Sequence, residues 1–229
     1  MAMAGRILTI TAIPPMSTHI DPRLLTLTQW LSPAFTIGAF AYSHGIETAI
    51  HQGWIRDADA LEDWLRDCLS QGTGRSDAIW LRLAFAANDP CEIDASARAF
   101  ANSRERLREA ERQGAAFARL VNDIWDLRLP DLLLPVAVGQ AARCARLDPE
   151  ATVALYLQSF VANLVSAAVR LSPIGQTAGQ RVIARLQDLC VEVTRSTATA
   201  SADDVFGNAF LSDVAAMRHE TLEPRLFQS

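Results

Sequence analysis

The chain has 229 residues, half of them apolar, with a net charge of −5 and an estimated pI near 5.4. Because a chain of this length supports one sizeable core, we expect a single domain. The acidic balance excludes a general nucleic-acid-binding role, which depends on clustered cationic side chains to neutralise phosphates. We therefore expect protein partners and no nucleic acid.

The cysteines and the N-terminus indicate the compartment. The four cysteines are widely spaced and include no CxxC pair, so they predict neither a disulfide framework nor a structural zinc site. An apolar run from Ile7 to Ile13 is interrupted by Pro14 and Pro15 before a signal-peptide core is complete. We expect a cytoplasmic protein in which residues 1–20 form a flexible N-terminal segment.

The first elements are predicted to be short helices around a glycine-bearing loop. Pro22 follows the potential cap Asp21 and begins an apolar helix that ends at Pro33. Residues 35–47 then mix aromatic, glycine and polar side chains before a helix that is expected to stop near Gly53. This loop carries an unusually dense set of polar and aromatic groups.

A helical hairpin is predicted next. Asp59 and Glu62 form a capping arrangement in front of a one-faced apolar stripe. The glycine-rich residues 71–74 end this helix, and Ser76 is the expected cap of its partner.

Two more helices are expected in the middle of the chain. Residues 103–125 alternate Glu and Arg at helical spacing, a pattern typical of a solvated face. Residues 132–146 form the second helix, with Pro135 in its first turn and Gly139 permitting a close helix crossing.

Residues 149–193 form the predicted central element of the fold. Asp148 and Pro149 mark a firm helix start, and the apolar residues that follow cover more than one face, so this helix is expected to be surrounded. Pro173 turns the chain at residues 172–176 before a second helix resumes. Gly175 and Gly179 are expected to let neighbouring helices approach closely.

A membrane span is the alternative for residues 151–169, which contain no charge over a length that just crosses a bilayer. Gln158, Asn163 and Ser166 are costly in hydrocarbon, and no basic flank fixes an orientation. We therefore expect a core helix and no membrane association.

The end of the chain is a polar loop, a last helix over residues 208–218 and a tail over residues 218–229. No strand pattern appears. The sequence therefore predicts an all-α fold, a single-domain bundle of roughly eight to ten helices over residues 21–217 with a flexible C-terminal tail. Leu226 and Phe227 lie in a tail too short to bury them, so they dock either on their own domain or on a partner.

The chemistry-bearing motifs of common enzymes are absent from the sequence. It contains no GxxxxGK[ST], GxSxG or GxGxxG pattern, so nucleotide binding and serine hydrolysis have no support. His44, Glu47 and His51 are spaced to share one helix face and form the one ligand-like cluster. The two histidines are about 10.5 Å apart along a helix axis, too far to chelate one ion without another element. A metal carrier using these three residues is the alternative function.

Several blocks of the sequence resemble the UreF family of urease accessory proteins. They are residues 38–47, 165–181, 217–221 and 225–227, with weaker similarity at 103–105 and 112–114. The blocks follow the family's order from Leu24 to Ser229, nearly the whole chain.

This resemblance implies a dimeric all-α protein without catalytic residues or a cofactor. It implies a role in nickel insertion into urease, as an adaptor between the scaffold UreD (UreH), the GTPase UreG and the urease apoprotein. The alternative becomes a nickel-binding carrier. The residues that the resemblance assigns to partner contacts are Gly38, Tyr42, Ser43, His44, Glu47, Arg170, Gln176, Gln180, Arg181, Arg218, His219, Glu220, Arg225, Leu226 and Phe227.

Overall fold

The computed structural model describes residues 21–228, and the predicted segment 1–20 lies outside that range. The described residues form eleven α-helices and no strand, which confirms the all-α prediction. The helices are α1 (Pro22–Trp30), α2 (Ile46–His51), α3 (Ala58–Gln71), α4 (Thr73–Ala86), α5 (Cys91–Ala99), α6 (Arg104–Trp125), α7 (Leu134–Cys144), α8 (Pro149–Leu171), α9 (Gln176–Arg185), α10 (Gln187–Ser196) and α11 (Phe210–His219). Two 3₁₀ turns occur at Ala39–Ala41 and Ala202–Asp204.

Local capping signals set most helix starts. The side chains of Asp21 and Asp148 each accept a backbone N–H at the start of α1 and α8, as predicted, and Ser103 does the same at the start of α6. The cap of α3 was predicted two residues too late, because Asp57 rather than Asp59 accepts the N–H of Ala60.

The cap predicted for α4 is also wrong, because α4 begins at Thr73 directly after Gly72. Ser76 therefore lies inside the helix. Its hydroxyl lies within hydrogen-bond distance of the carbonyl oxygens of Gly72 and Phe206.

Helix α8 lies at the centre of the fold, as predicted, and contacts α1, α2, α3, α4, α7, α9 and α10. Its residues Leu157, Val161 and Leu164 are fully buried. The polar groups on this helix bond to neighbouring segments: Ser159 donates to the carbonyl of Leu31, and Asn163 donates to that of Ala39. Within the described residues α8 is the one helix long and apolar enough to cross a membrane, and half of its most apolar window is buried inside the protein.

The helix predicted after the Pro173 corner is divided in two. Helix α9 ends at Arg185 and α10 begins at Gln187, with the fully buried Leu186 at the break. The N–H of Leu186 bonds to the carbonyls of both Val182 and Ile183, which tightens the last turn of α9. Leu186 is buried in the core at this break, which the periodic pattern does not reveal.

The glycines differ in how tightly they are packed. A Cβ atom on Gly139 would collide with the carbonyl oxygen of Leu81, which confirms the predicted close crossing of α7 and α4. A Cβ on Gly179 would lie 2.9 Å from Val165 and 3.0 Å from Val169, in the α8–α9 contact. The same prediction is wrong for Gly175, which has no atom within 4 Å of that position because it caps α9 in an open turn.

A tail docking site built on buried charges

The loop before α2 is shaped by three residues in the left-handed backbone region: Gly38 (φ 81°), His44 (φ 53°) and Gly45 (φ 78°). A Cβ on Gly45 would lie 2.7 Å from the backbone nitrogen of Ala216, so α2 and α11 pack backbone to backbone here. His44 precedes α2, which begins at Ile46. The prediction that His44, Glu47 and His51 share one helix is therefore wrong for His44.

Glu47 is the residue on which the C-terminal tail converges. Its buried carboxylate accepts the backbone N–H groups of Leu226 (2.7 Å) and Phe227 (3.0 Å). The same carboxylate lies 3.1 Å from Nε2 of His219, the last residue of α11. One acidic side chain thus connects α2, α11 and the tail.

Glu105 on α6 provides a second acidic contact for the same elements. One of its oxygens lies 2.8 Å from Nδ1 of His219, and the other accepts Nη1 of Arg225 at 2.6 Å. His219 is fully buried, with one carboxylate facing each ring nitrogen. The ring of His219 thus links α2 and α6 through both of its nitrogens.

The apolar end of the tail is also fixed on the domain. Phe227 is buried, and the guanidinium of Arg170 on α8 lies 4.5 Å from its ring centroid, in cation–π geometry. Arg170 also donates to the carbonyl of Phe40 at 2.8 Å. The N–H of Gln228 donates to the carbonyl of Ala41 at 2.9 Å.

The tail therefore folds back on its own domain, which is one of the two outcomes that the sequence left open for Leu226 and Phe227. In this position Glu47 and Glu105 supply buried acceptors to which the tail's own N–H and guanidinium groups bind, while the flexibility of residues 218–229 and their docking on a partner stay predictions. Leu226, by contrast, remains 82% exposed.

A second group of charges lies beside the first. His44 Nε2 is 2.8 Å from a carboxylate oxygen of Glu109 and 2.7 Å from Nη1 of Arg106, which also donates to Glu109. Burial lowers the pKa of His44, and the nearby Arg106 lowers it further. Burial alone would raise the pKa of Glu109, but Arg106 and His44 outweigh it and hold the pKa at about 2. The Glu109 carboxylate is therefore ionised inside the protein.

These positions correct one prediction. Tyr42, His44 and Glu47 were expected on a helix near the surface, yet all three are buried, as is Ser43. Their part in partner binding stays a prediction, but alanine substitutions there would first remove contacts inside the domain.

The other predicted site residues separate into two groups. Gln176, Gln180 and Arg181 lie exposed on α9, and no hydrogen bond joins them to the tail within the described residues. Arg218 and Glu220 flank His219 at the end of α11. Arg218 lies 5.6 Å from the ring centroid of Trp54, and Glu220 pairs with Arg104.

Three residues of α6 that hold this site were missed as site residues: Glu105, Arg106 and Glu109. Their alternating charges read as a solvated face, but Glu109 is only 2% exposed. The sequence did hold a signal, because residues 103–105 were among the blocks that resemble the UreF family.

The three residues of the metal hypothesis do not meet. His44 faces Glu109, whereas Glu47 faces His219 and the tail, and His51 is exposed. Across residues 21–228 no group of three or more His, Cys, Asp or Glu side chains is arranged to hold a metal ion. The geometry thus gives the carrier alternative no support.

Taken together, the fold and this site define an all-α protein that carries a docking surface for an extended segment, formed by α2, α6, α8 and α11. A sequence model of the UreF family matches residues 55–187. The chain belongs to the UreF family, the family of urease accessory proteins.

Relatives named urease accessory protein UreF match the chain over most of its length. The protein of Roseobacter denitrificans is 50% identical over 207 residues, covering 90% of this chain and 93% of its own. That of Cereibacter sphaeroides strain KD131 is 51% identical over 206 residues, covering 90% and 98%. That of Ruegeria pomeroyi is 41% identical over 217 residues, covering 93% and 100%.

Proposed function

We propose that this protein is an assembly chaperone required for nickel insertion into urease. It acts as a non-catalytic adaptor between the scaffold UreD (UreH), the GTPase UreG and the urease apoprotein. It works in the cytoplasm as a homodimer, without a cofactor of its own. Membership of the UreF family supports this role, and the docking site supplies a physical means for it.

The observation that carries the proposal is the difference in exposure between two adjacent tail residues. Phe227 is 6% exposed and packs on the domain, whereas Leu226 is 82% exposed. A short segment that is anchored by one apolar side chain and presents the next one to solvent has the usual form of an interface anchor. The tail thus offers Leu226 to a partner in a fixed position.

Exposed apolar side chains near the start of the tail enlarge this apolar surface. Phe210 and Met217 on α11 are 72% and 52% exposed, and their seven-residue spacing places them on one face of the helix. The charged groups Arg218 and Glu220 follow directly in sequence. Exposed apolar side chains next to charged ones are typical of a protein-binding surface.

Leu226→Asp tests the proposal, because Leu226 contributes little to the core. We expect unchanged helical content and melting temperature, with at least tenfold weaker capture of UreD and a matching loss of urease activation in cells. Ile124→Asp is the matched control, since Ile124 is also exposed (55%) but lies at the far end of α6. Capture of UreD at wild-type strength by the Leu226 variant would refute the role of the tail as a docking element.

A second variant separates the two contacts of the tail. Phe227→Ala removes the inner anchor and the cation–π contact with Arg170, so the tail should detach while the helices stay folded. We expect faster proteolysis after residue 219 together with weaker UreD and UreG capture. Weaker capture without any change in proteolysis would instead mean that Phe227 contacts the partner directly.

A further inference from the structure

A cavity of about 270 Å³ lies between α1, residues 31–40 and the helices α6, α7 and α8. Its walls are largely apolar and aromatic, and they include Trp30, Phe35, Ile37, Phe117, Val138 and Phe160. A cavity of this size has room for several water molecules or for one small ring. Cavities with apolar walls and a few convergent polar groups are the usual form of a small-molecule site.

The titratable groups of the cavity are Asp77, Arg106, Glu109, His44 and Tyr156, and the uncharged polar side chains that line it are Ser32, Thr36, Gln113, Ser159, Asn163 and Ser166. Asp77 accepts the hydroxyl of Tyr156 at 2.7 Å through one carboxylate oxygen. Arg106 uses Nη1 for both His44 and Glu109. Within the described residues, the second carboxylate oxygen of Asp77 and the other guanidinium nitrogens of Arg106 have no hydrogen-bond partner. A guest in the cavity would therefore meet both an acceptor and a donor.

Trp30 places a reporter group on the wall of the cavity. This residue is 1% exposed and lines the cavity. Its indole nitrogen is itself buried and has no acceptor among the described residues. A guest packed against the Trp30 ring would change the surroundings of this N–H, so its resonance reports on occupancy of the cavity.

The charges on the cavity wall select among guests of similar shape. Glu109 and Arg106 are ionised and paired, and Asp77 adds a second carboxyl group near Arg106. An anionic guest would face Glu109 and Asp77, whereas a cationic guest would face Arg106. A neutral group with both a donor and an acceptor meets no like charge and pays no cost for burying its own.

We propose that this cavity is a binding site for a small, neutral, planar molecule of the aromatic amide type. Its ring packs among Phe35 and Phe117, and its carbonyl and N–H groups bond to the open donors and acceptor of the wall. The cavity adjoins the tail docking site, because Arg106 and Glu109 belong to both, but this proposal does not depend on the proposed function in urease assembly.

Three isosteric probes test the proposal on the full-length protein: benzamide, benzoate and benzamidine. The readout is the side-chain N–H resonance of Trp30 in ¹⁵N-labelled protein, assigned with Trp30→Phe. Trp64 is the internal control, because its indole N–H is also buried without a partner but does not line this cavity. We expect benzamide to shift the Trp30 resonance saturably and leave that of Trp64 in place.

A cavity-filling variant provides the second arm. Ala162 on α8 lines the cavity, so Ala162→Phe should weaken benzamide binding at least tenfold. Ala154→Phe is the matched control, since Ala154 is a half-buried alanine of the same helix away from the cavity. A Trp30 resonance unmoved by benzamide at its solubility limit would overturn the proposal, as would equal or larger shifts with benzoate or benzamidine.

Discussion

Two regions of this protein are held together by different physics. Around α8 the contacts are apolar, and residues such as Leu157, Val161 and Leu164 are fully buried among other hydrophobic side chains. Where α2, α6, α11 and the tail meet, the interior is charged. We call the latter region the buried charge cluster; it comprises His44, Glu47, Glu105, Arg106, Glu109 and His219.

The difference shows how each region responds to change. Apolar contacts are non-directional, so a core of this kind tolerates substitutions that preserve volume and fails when atoms are forced together. A buried ion pair depends on both members, because removing one leaves the other charged and unsolvated. The apolar region should therefore be sensitive to added volume and the charge cluster to lost charge.

The largest expected effect is in the charge cluster. Glu109→Ala leaves the Arg106 guanidinium buried without its carboxylate, which should lower the free energy of unfolding by about 3–5 kcal/mol. Urea unfolding followed by circular dichroism measures this change. Glu111→Ala is the control, since the Glu111–Arg98 pair is 41% and 34% exposed and should contribute at most about 1 kcal/mol. Equal losses for the two variants would mean that the cluster is solvated.

The next effect tests the apolar region. Gly139→Ala places a methyl group against the carbonyl of Leu81, so we expect a loss of about 1–3 kcal/mol despite the better helix propensity of alanine. The comparison is Gly175→Ala, whose Cβ meets no atom within 4 Å. That substitution should leave the unfolding midpoint nearly unchanged. Similar midpoints for both variants would show that α4 and α7 separate without cost.

The last comparison is a pH dependence of stability, and its first part arises from Asp77. Burial raises the pKa of Asp77 from 3.8 to about 6. Because the folded state favours the protonated acid, the stability from this group is fully present below pH 3.8 and is lost as the pH rises through about 6. The Asp77→Asn variant has no ionisable group at this position. Its free energy of unfolding should therefore increase relative to that of the wild type between pH 4 and pH 7. A difference that stays constant with pH would contradict the assigned shift.

Glu109 should give the opposite slope at acid pH. Its pKa lies at about 2 instead of 4.5, so its contribution is present above pH 4.5 and is lost as the pH falls toward 2. The Glu109→Gln variant should lack this decrease in the free energy of unfolding at acid pH. A wild-type slope that persists in the variant over that range would have to come from other carboxyl groups.

The sequence by itself determined the all-α class, the central helix and the polar corner that follows it. Asp148 and Pro149 fix the start of α8, and Ser103 fixes that of α6, because helix caps act over only a few residues. Apolar periodicity likewise depends only on neighbours in the chain. Such signals can be identified without knowledge of the fold. The UreF resemblance added the order of the blocks.

Only the tertiary structure decided which charges are buried and where the tail lies. His44 and Glu109 are 65 residues apart in sequence, and His219 and Glu105 are 114 apart. The same Glu–Arg repeat can occur on a helix that faces water and on one that faces a histidine or an arginine from a distant part of the chain. Local sequence does not specify the opposing surface, so it does not distinguish the two cases. Phe227 is buried for the same reason: the groups that hold it come from Glu47 and Arg170, which the fold brings together.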